Sequence, residues 1–240
     1  LRICNKSSLC LAVSSNLALL LKKKIKNLSL WKTHNNLVSK NFFNEKLKET
    51  KYKDFTFISV GNLIKEKNFS LLIKSFKNFN DIYPNTKLKI VGSGNQLRNL
   101  IKISKNLNIF RHISFMGNLS RHGVIHEIKN SNVSISSSNY ETFGIFSAES
   151  LSLGNVVIST ANMGCYDILN EEVGVIVDVN NESELTKAMI SIFENYRNYD
   201  PKKIRKYAYN KFSDNIITNK LILYYNKILF NNWFLKYVSW

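Results

Sequence analysis

The sequence is short of the residues that staple small folds and punctuate loops: its 240 residues include 3 Cys, 2 Pro and 9 Gly. So little Pro and Gly excludes collagenous, Pro-rich and Gly/Ser-rich architectures. Cys4, Cys10 and Cys165 contain no Cys-x-x-Cys pair and cannot all pair with one another. Neither a disulfide framework nor a zinc site is supported, and a reducing, cytoplasmic setting is expected. The four His residues, 34, 112, 122 and 126, are scattered, and the helix-spaced pair His122 and His126 reads as surface. With no Asp-x-Asp and no His/Cys cluster of ligand spacing, no metal site is expected.

Long apolar runs are missing as well. Leu9–Leu21 is the best candidate for a targeting or membrane segment, but Ser14, Ser15 and Asn16 interrupt it. It falls short of about 18 uninterrupted apolar residues, and no small-residue cleavage site precedes Lys22, Lys23 and Lys24. The pattern predicts a short strand, Leu9–Val13, then a helix capped by Ser14 or Ser15 with Leu17, Leu20 and Leu21 on one face. Acidic residues are scarce too: 17 Asp and Glu stand against 34 Lys and Arg, for a net charge of +17. That balance points to anionic partners, among them nucleic acid, an anionic membrane face or a phosphorylated small molecule.

With 44% apolar and 12% aromatic residues the chain can bury a core, so disorder is excluded as its dominant state. From Phe55 onward, short β-branched or aromatic runs alternate with longer amphipathic stretches, the mark of βα units. Strands are expected at Phe55–Val60, Leu88–Val91, Ile113–Phe115, Val133–Ile135, Val156–Ile158 and Val175–Val177. Helices are expected at Phe69–Phe79, Asn95–Leu107, Arg121–Lys129, Ile145–Leu153 and Glu182–Tyr196. The fold class is therefore α/β, a Rossmann-like doubly wound parallel sheet with its ligand outside the carboxyl ends of the strands. After Asp200 the pattern is helical, Pro201–Asn210 and Ser213–Phe230, with an aromatic and basic tail of Trp233, Phe234, Lys236, Tyr237 and Trp240. Three segments result: 1–49, holding a lone strand and helix; the sheet domain, 50–200; and the helices of 201–240.

Three turns after expected strands carry glycine: Gly61, Gly92-Ser-Gly94 and Gly117. Gly92 and Gly94 lack the third glycine and the acidic ribose partner of a dinucleotide fingerprint. The richest stretch is Ser136-Ser-Ser-Asn-Tyr-Glu141-Thr-Phe-Gly-Ile-Phe-Ser-Ala-Glu149. A strand there runs into small polar residues and then a helix, so the amides of Phe143, Gly144 and Ile145 would point out of a helix N-terminus, ready for an anion or a sugar hydroxyl. Glu141 and Glu149, eight residues apart, could approach one ligand from two sides. Equally, Glu141 could complement the helix dipole and Glu149 be a solvated helix residue.

Glu141-Thr-Phe-Gly-Ile-Phe-Ser-Ala-Glu149, with Gly154-Asn-Val-Val-Ile-Ser-Thr after it, resembles the Glu-x7-Glu signature of the retaining, GT-B-fold glycosyltransferases of family 4, the glycosyl transferases group 1. Ser59-Val-Gly61-Asn-Leu-Ile-Lys-Glu-Lys67 resembles that family's phosphate-binding turn. Ile90-Val-Gly-Ser-Gly94, Ile113-Ser-Phe-Met116-Gly117, Met163-Gly-Cys-Tyr-Asp167 and Val173-Gly-Val-Ile-Val follow in family order, and Asn35-Asn-Leu-Val38 with Phe42 resembles its interdomain segment. The resemblance implies that a nucleotide-diphosphate sugar is the donor and that no cofactor or metal is required. It implies a sugar contact for Glu141 and a diphosphate contact for Lys67, the two catalytic candidates. Sugar and phosphate contacts fall to the amides of Phe143, Gly144 and Ile145, ribose contacts to Glu149, and further donor contacts to Gly61, Asn62, Gly92, Gly94 and Met116. Asn62 stands where the family usually has a phosphate-binding Arg, and Asp167 where it has Glu; Lys65 is a candidate to compensate for the first.

The family's N-terminal domain, which binds a glycan or lipid-linked acceptor, has at most its last strand and linker here, and the chain opens on Leu1 rather than Met. A donor-site fragment of a hexosyltransferase in cell-surface polysaccharide synthesis is expected, transferring little sugar alone, with peripheral contact at the inner membrane face as an added role for the charge. The alternatives are a homologue with a degenerate donor site or a basic nucleic-acid-binding module. Against the module, the sequence has no RRM, KH or helix-turn-helix signature, so no nucleic-acid partner is expected.

Overall fold

The computed structural model describes residues 7, 9–24, 31–47 and 55–237, with side chains described through residue 229. Its strands are β1 (Cys10–Ala12), β2 (Trp31–Thr33), β3 (Phe55–Val60), β4 (Thr86–Val91), β5 (Ile113–Phe115), β6 (Val133–Ser136), β7 (Val156–Thr160) and β8 (Gly174–Val177). The helices are α1 (Ser15–Lys24), α2 (Lys40–Phe43), α3 (Phe69–Ile82), α4 (Leu97–Asn106), α5 (Arg121–Lys129), α6 (Ile145–Ser152), α7 (Cys165–Ile168), α8 (Glu182–Glu194), α9 (Pro201–Phe212) and α10 (Asp214–Tyr237). The boundary expected near residue 49 lies outside the described residues, as do the side chains of the aromatic tail.

The expected doubly wound sheet is present. Six strands run parallel in the order β5-β4-β3-β6-β7-β8. The chain starts in the middle at β3, winds outward through β4 and β5, then crosses back to β6 on the other side of β3. The loops after β3 and β6 consequently diverge and leave a crevice between them at the carboxyl edge.

The strands are buried because helices flank the sheet. Every residue of β6 and β7 is buried, which the apolar runs Val133–Ile135 and Val156–Ile158 require of central parallel strands. On α3 the 3.6-residue spacing of Leu72, Ile73, Phe76 and Phe79 puts all four fully inside. Phe57 of β3 meets Phe79 edge-on, with ring centroids 5.0 Å apart, and Phe193 of α8 packs on Phe79 at 5.5 Å. Asn68 stops the preceding turn and starts α3: at φ 46° its side chain accepts the Leu71 N–H. Asn tolerates that left-handed conformation better than most residues, and it is a good N-cap.

The 1–49 segment holds more than the lone strand and helix expected. Trp31–Thr33 pairs in parallel with Cys10–Ala12, so α1 is the crossover of a small βαβ unit. Three residues among Lys and Asn give no periodic signal, which is why β2 escaped the pattern. Ser14 caps α1, its hydroxyl accepting the Leu17 N–H, and the Asp167 carboxylate accepts the Ser15 N–H from the sheet domain. The C-terminal helices return to this unit: the Tyr224 hydroxyl on α10 donates to the Thr33 carbonyl, and the Val38 N–H donates to the last carbonyl of α9, that of Phe212. Among the described residues no helix is long and apolar enough to cross a membrane.

Candidate active site

A cleft of about 260 Å³ opens at the switch point between β3 and β6. One wall is the end of β3 and the turn after it, Ser59–Asn62 with Lys67 and Phe69. The other is the end of β6, Ser136–Ser138, followed by Glu141 and the start of α6 with Gly144, Ile145, Phe146 and Glu149.

Hydrogen bonds lock the walls together. The Ser137 hydroxyl donates to the Lys67 carbonyl at 2.9 Å, and the Asn139 N–H to the Glu66 carbonyl at 2.8 Å. The amide of Asn68 donates to Asn139 at 2.9 Å and to Asn180 at 2.8 Å. Across this seam the Lys67 ammonium and the Glu141 carboxylate form an ion pair, both side chains about a quarter exposed. Behind it, Gly144 at φ 98° turns the chain into α6. The first amides of α6 have no acceptor within the helix, so they present a positive edge to the cleft.

Glu149, one turn further along α6, is largely out of water. Burial pushes its carboxyl up to about 7, and the Arg121 guanidinium at the start of α5 pulls it partly back. Arg121 itself lies over the Phe42 ring, 5.8 Å from its centroid.

Seven of the eleven residues singled out from the sequence line the cleft together: Gly61, Asn62, Lys67, Glu141, Gly144, Ile145 and Glu149. The other four do not. A Cβ on Gly92 (φ 137°) would lie 2.0 Å from the Gly61 carbonyl oxygen, and one on Gly94 would lie 2.4 Å from that of Leu63. These glycines let the loop after β4 press against the turn after β3, which they brace through Leu63 N–H to Ser93 carbonyl and Gln96 N–H to Leu63 carbonyl bonds. Met116 continues the β4–β5 ladder by donating its N–H to Ile90. The Phe143 side chain is core, packed edge-on against Phe212 at 5.8 Å. Lys65 lines a separate cavity of about 180 Å³ with Asn68, Ser70 and Gln96, away from Asn62.

Sequence reasoning passed over Ser136, Ser137 and Ser138 as individual contributors and missed Phe146 and Arg121. The serines carried a signal, since small polar residues ending the strand beside a switch point would line its crevice. Arg121 carried none, because its approach to Glu149 exists only in the folded chain.

The profile of the family "Glycosyl transferases group 1" matches residues 40–211. The chain belongs to the glycosyl transferases group 1. It is 34% identical over 126 residues to an uncharacterized glycosyltransferase of Methanocaldococcus jannaschii, covering 52% of this chain and 30% of that one. To the capsular polysaccharide biosynthesis glycosyltransferase CapM of Staphylococcus aureus it is 29% identical over 200 residues, 78% of this chain and 50% of CapM. This group 1 chain thus spans half or less of the length of these curated relatives. Its fold is that of GT-B glycosyltransferases: Anabaena HepE, solved with UDP and glucose, superposes with a TM-score of 0.80 at 16% identity over 94% of this chain and 65% of HepE.

Proposed function

We propose that the cleft between β3 and β6 is the donor site of a retaining hexosyltransferase that takes sugar from a nucleotide-diphosphate sugar. The observation that carries this is the meeting of Lys67, Glu141, Glu149 and the first amides of α6 on one cleft at the topological switch point. The solved complex of HepE with UDP and glucose supports a nucleotide and a sugar as the ligand class. Lys67 and the α6 amides hold the diphosphate, the Glu141 carboxylate accepts hydroxyls of the sugar, and Glu149 accepts those of the ribose. When the bond from the anomeric carbon to the diphosphate oxygen breaks, the electron pair goes to the diphosphate. Lys67 and the helix edge stabilise the charge that develops there. No step in this account requires a metal.

The acceptor is a glycan or a lipid-linked sugar, held by a domain outside this chain, in the synthesis of a cell-surface polysaccharide. Acceptor positioning and cleft closure are large parts of such catalysis, so the chain alone binds nucleotide and turns over little. Asn62 favours a second reading, a homologue whose donor binding has decayed, because a neutral amide replaces a cation and Lys65 lines a different cavity.

Calorimetric titration with UDP, GDP and ADP tests both readings. One nucleotide binds the wild-type chain, and Lys67→Ala weakens it about 10- to 100-fold, the range for losing one charged contact to phosphate. Binding that ignores Lys67 and Glu149 removes the assignment. Absence of binding for all three nucleotides favours the decayed homologue.

A further inference from the structure

The donor cleft is poor in cations for a site that takes a diphosphate. Among the described residues Lys67 is the one Lys or Arg that lines it, set against two acidic side chains, Glu141 and Glu149, and its ammonium is already bonded to Glu141. Asn62 adds no charge, and Lys65 lines the neighbouring cavity. A diphosphate entering this cleft therefore meets a cation whose partner must be displaced, with the displaced carboxylate left beside the incoming anion. Like charges held that close in a half-buried site repel, and among the described lining residues no further cation offsets them.

We propose that the Lys67–Glu141 pair is an exchangeable counter-ion that selects the sugar-bearing donor over the bare nucleoside diphosphate and helps expel the product. This rests on the cleft being the donor site. When a sugar is attached, its hydroxyls donate to the Glu141 carboxylate, so releasing Lys67 to the diphosphate leaves neither group unpaired. When the sugar has been transferred, the hydroxyls leave with it. Among the described residues Glu141 then has Lys67 as its donor, and re-formation of the ion pair strips the cation from the diphosphate. The site binds its product more weakly than its phosphate contacts alone would allow, and Glu141 is a determinant of release as well as a contact to the sugar.

The sign of the effect separates this from a purely structural role. Neutralising Glu141 in Glu141→Gln leaves Lys67 free and removes the repulsion, so UDP binds the 240-residue chain about tenfold tighter than it binds wild type, a 1.4 kcal/mol change by the usual conversion. Glu141→Ala shifts UDP in the same direction and guards against an effect peculiar to glutamine. UDP-glucose, UDP-galactose and UDP-N-acetylglucosamine gain less than UDP, because the substitution also removes the acceptor of their hydroxyls. Unchanged or weaker UDP binding in both variants, with Lys67→Ala still weakening it, overturns the exchange while leaving the donor site standing. An equal gain for UDP and all three sugar nucleotides also overturns it. Failure of wild type and both variants to bind UDP, GDP or ADP overturns the donor-site reading and this proposal with it.

Discussion

Glu149 is the residue whose protonation the fold disturbs most usefully. Its carboxyl is raised from 4.5 to about 7 by burial, so folding favours the neutral form. The stabilisation from that neutral form is complete below about 4.5 and disappears as pH rises through about 7. Glu149→Gln should match wild type at pH 4 and exceed its stability at pH 8 by about 1 kcal/mol, allowing for solvent screening. Calorimetric melting at the two pH values checks this; equal differences at both would place Glu149 in water. Gly164 makes a second residue-scale prediction. A Cβ there would sit 1.8 Å from the Phe143 carbonyl oxygen, backbone against backbone, so Gly164→Ala should cost about 2–4 kcal/mol in urea unfolding. Because Phe143 adjoins Gly144 and the start of α6, nucleotide binding should weaken with it. Residue chemistry of this kind was partly legible in advance: Glu141 and Glu149 stood out by type and spacing, and Lys67 through the family resemblance. Gly92 and Gly94 stood out equally, yet serve loop packing, because a glycine in sequence does not say whether a ligand or a neighbouring backbone fills the space.

Elements were more legible than sites. Phe55–Val60, Ile113–Phe115 and Arg121–Lys129 begin and end where residue pattern alone puts them, since β-branched runs and amphipathic spacing are local properties. Where tertiary contacts decide, pattern was blind, as with Trp31–Thr33. Arg205 of α9 ties elements together in a way that no pattern announces. Its guanidinium donates to the Ser152 carbonyl at the end of α6 and to the Glu45 carbonyl after α2. A cation at a helix C-terminus satisfies orphan carbonyls and opposes the dipole. Arg205→Met keeps the packing and orphans both carbonyls, and should lower stability by about 2–3 kcal/mol. Arg205→Lys should recover part of that; full recovery would show that charge alone matters.

At the scale of the molecule, a chain of +17 carries a cleft lined by one lysine and two glutamates. The excess cations therefore lie outside the described lining of the cleft. Attachment to anionic vesicles should be strong at low salt and fall steeply by about 0.15 M, each cation near the surface contributing roughly 1 kcal/mol before screening. Nucleotide affinity should change far less over the same range. Cosedimentation with phosphatidylglycerol vesicles beside UDP titration at each salt compares the two; parallel losses would put both ligands on one basic surface.

The strand order has a further consequence, in time rather than space. β3 pairs with β4 about thirty residues ahead of it, but also with β6, where the Asn132 side chain accepts the Thr56 N–H across 76 positions of chain. Non-local pairings close late, after the entropy of the intervening loop has been lost. The β3–α3–β4 unit can therefore form early and carry Lys67, whereas Glu141 and Glu149 arrive only when β6 docks. A half-folded chain would hold the cation without its carboxylates, and the cleft is complete only once β6 has docked.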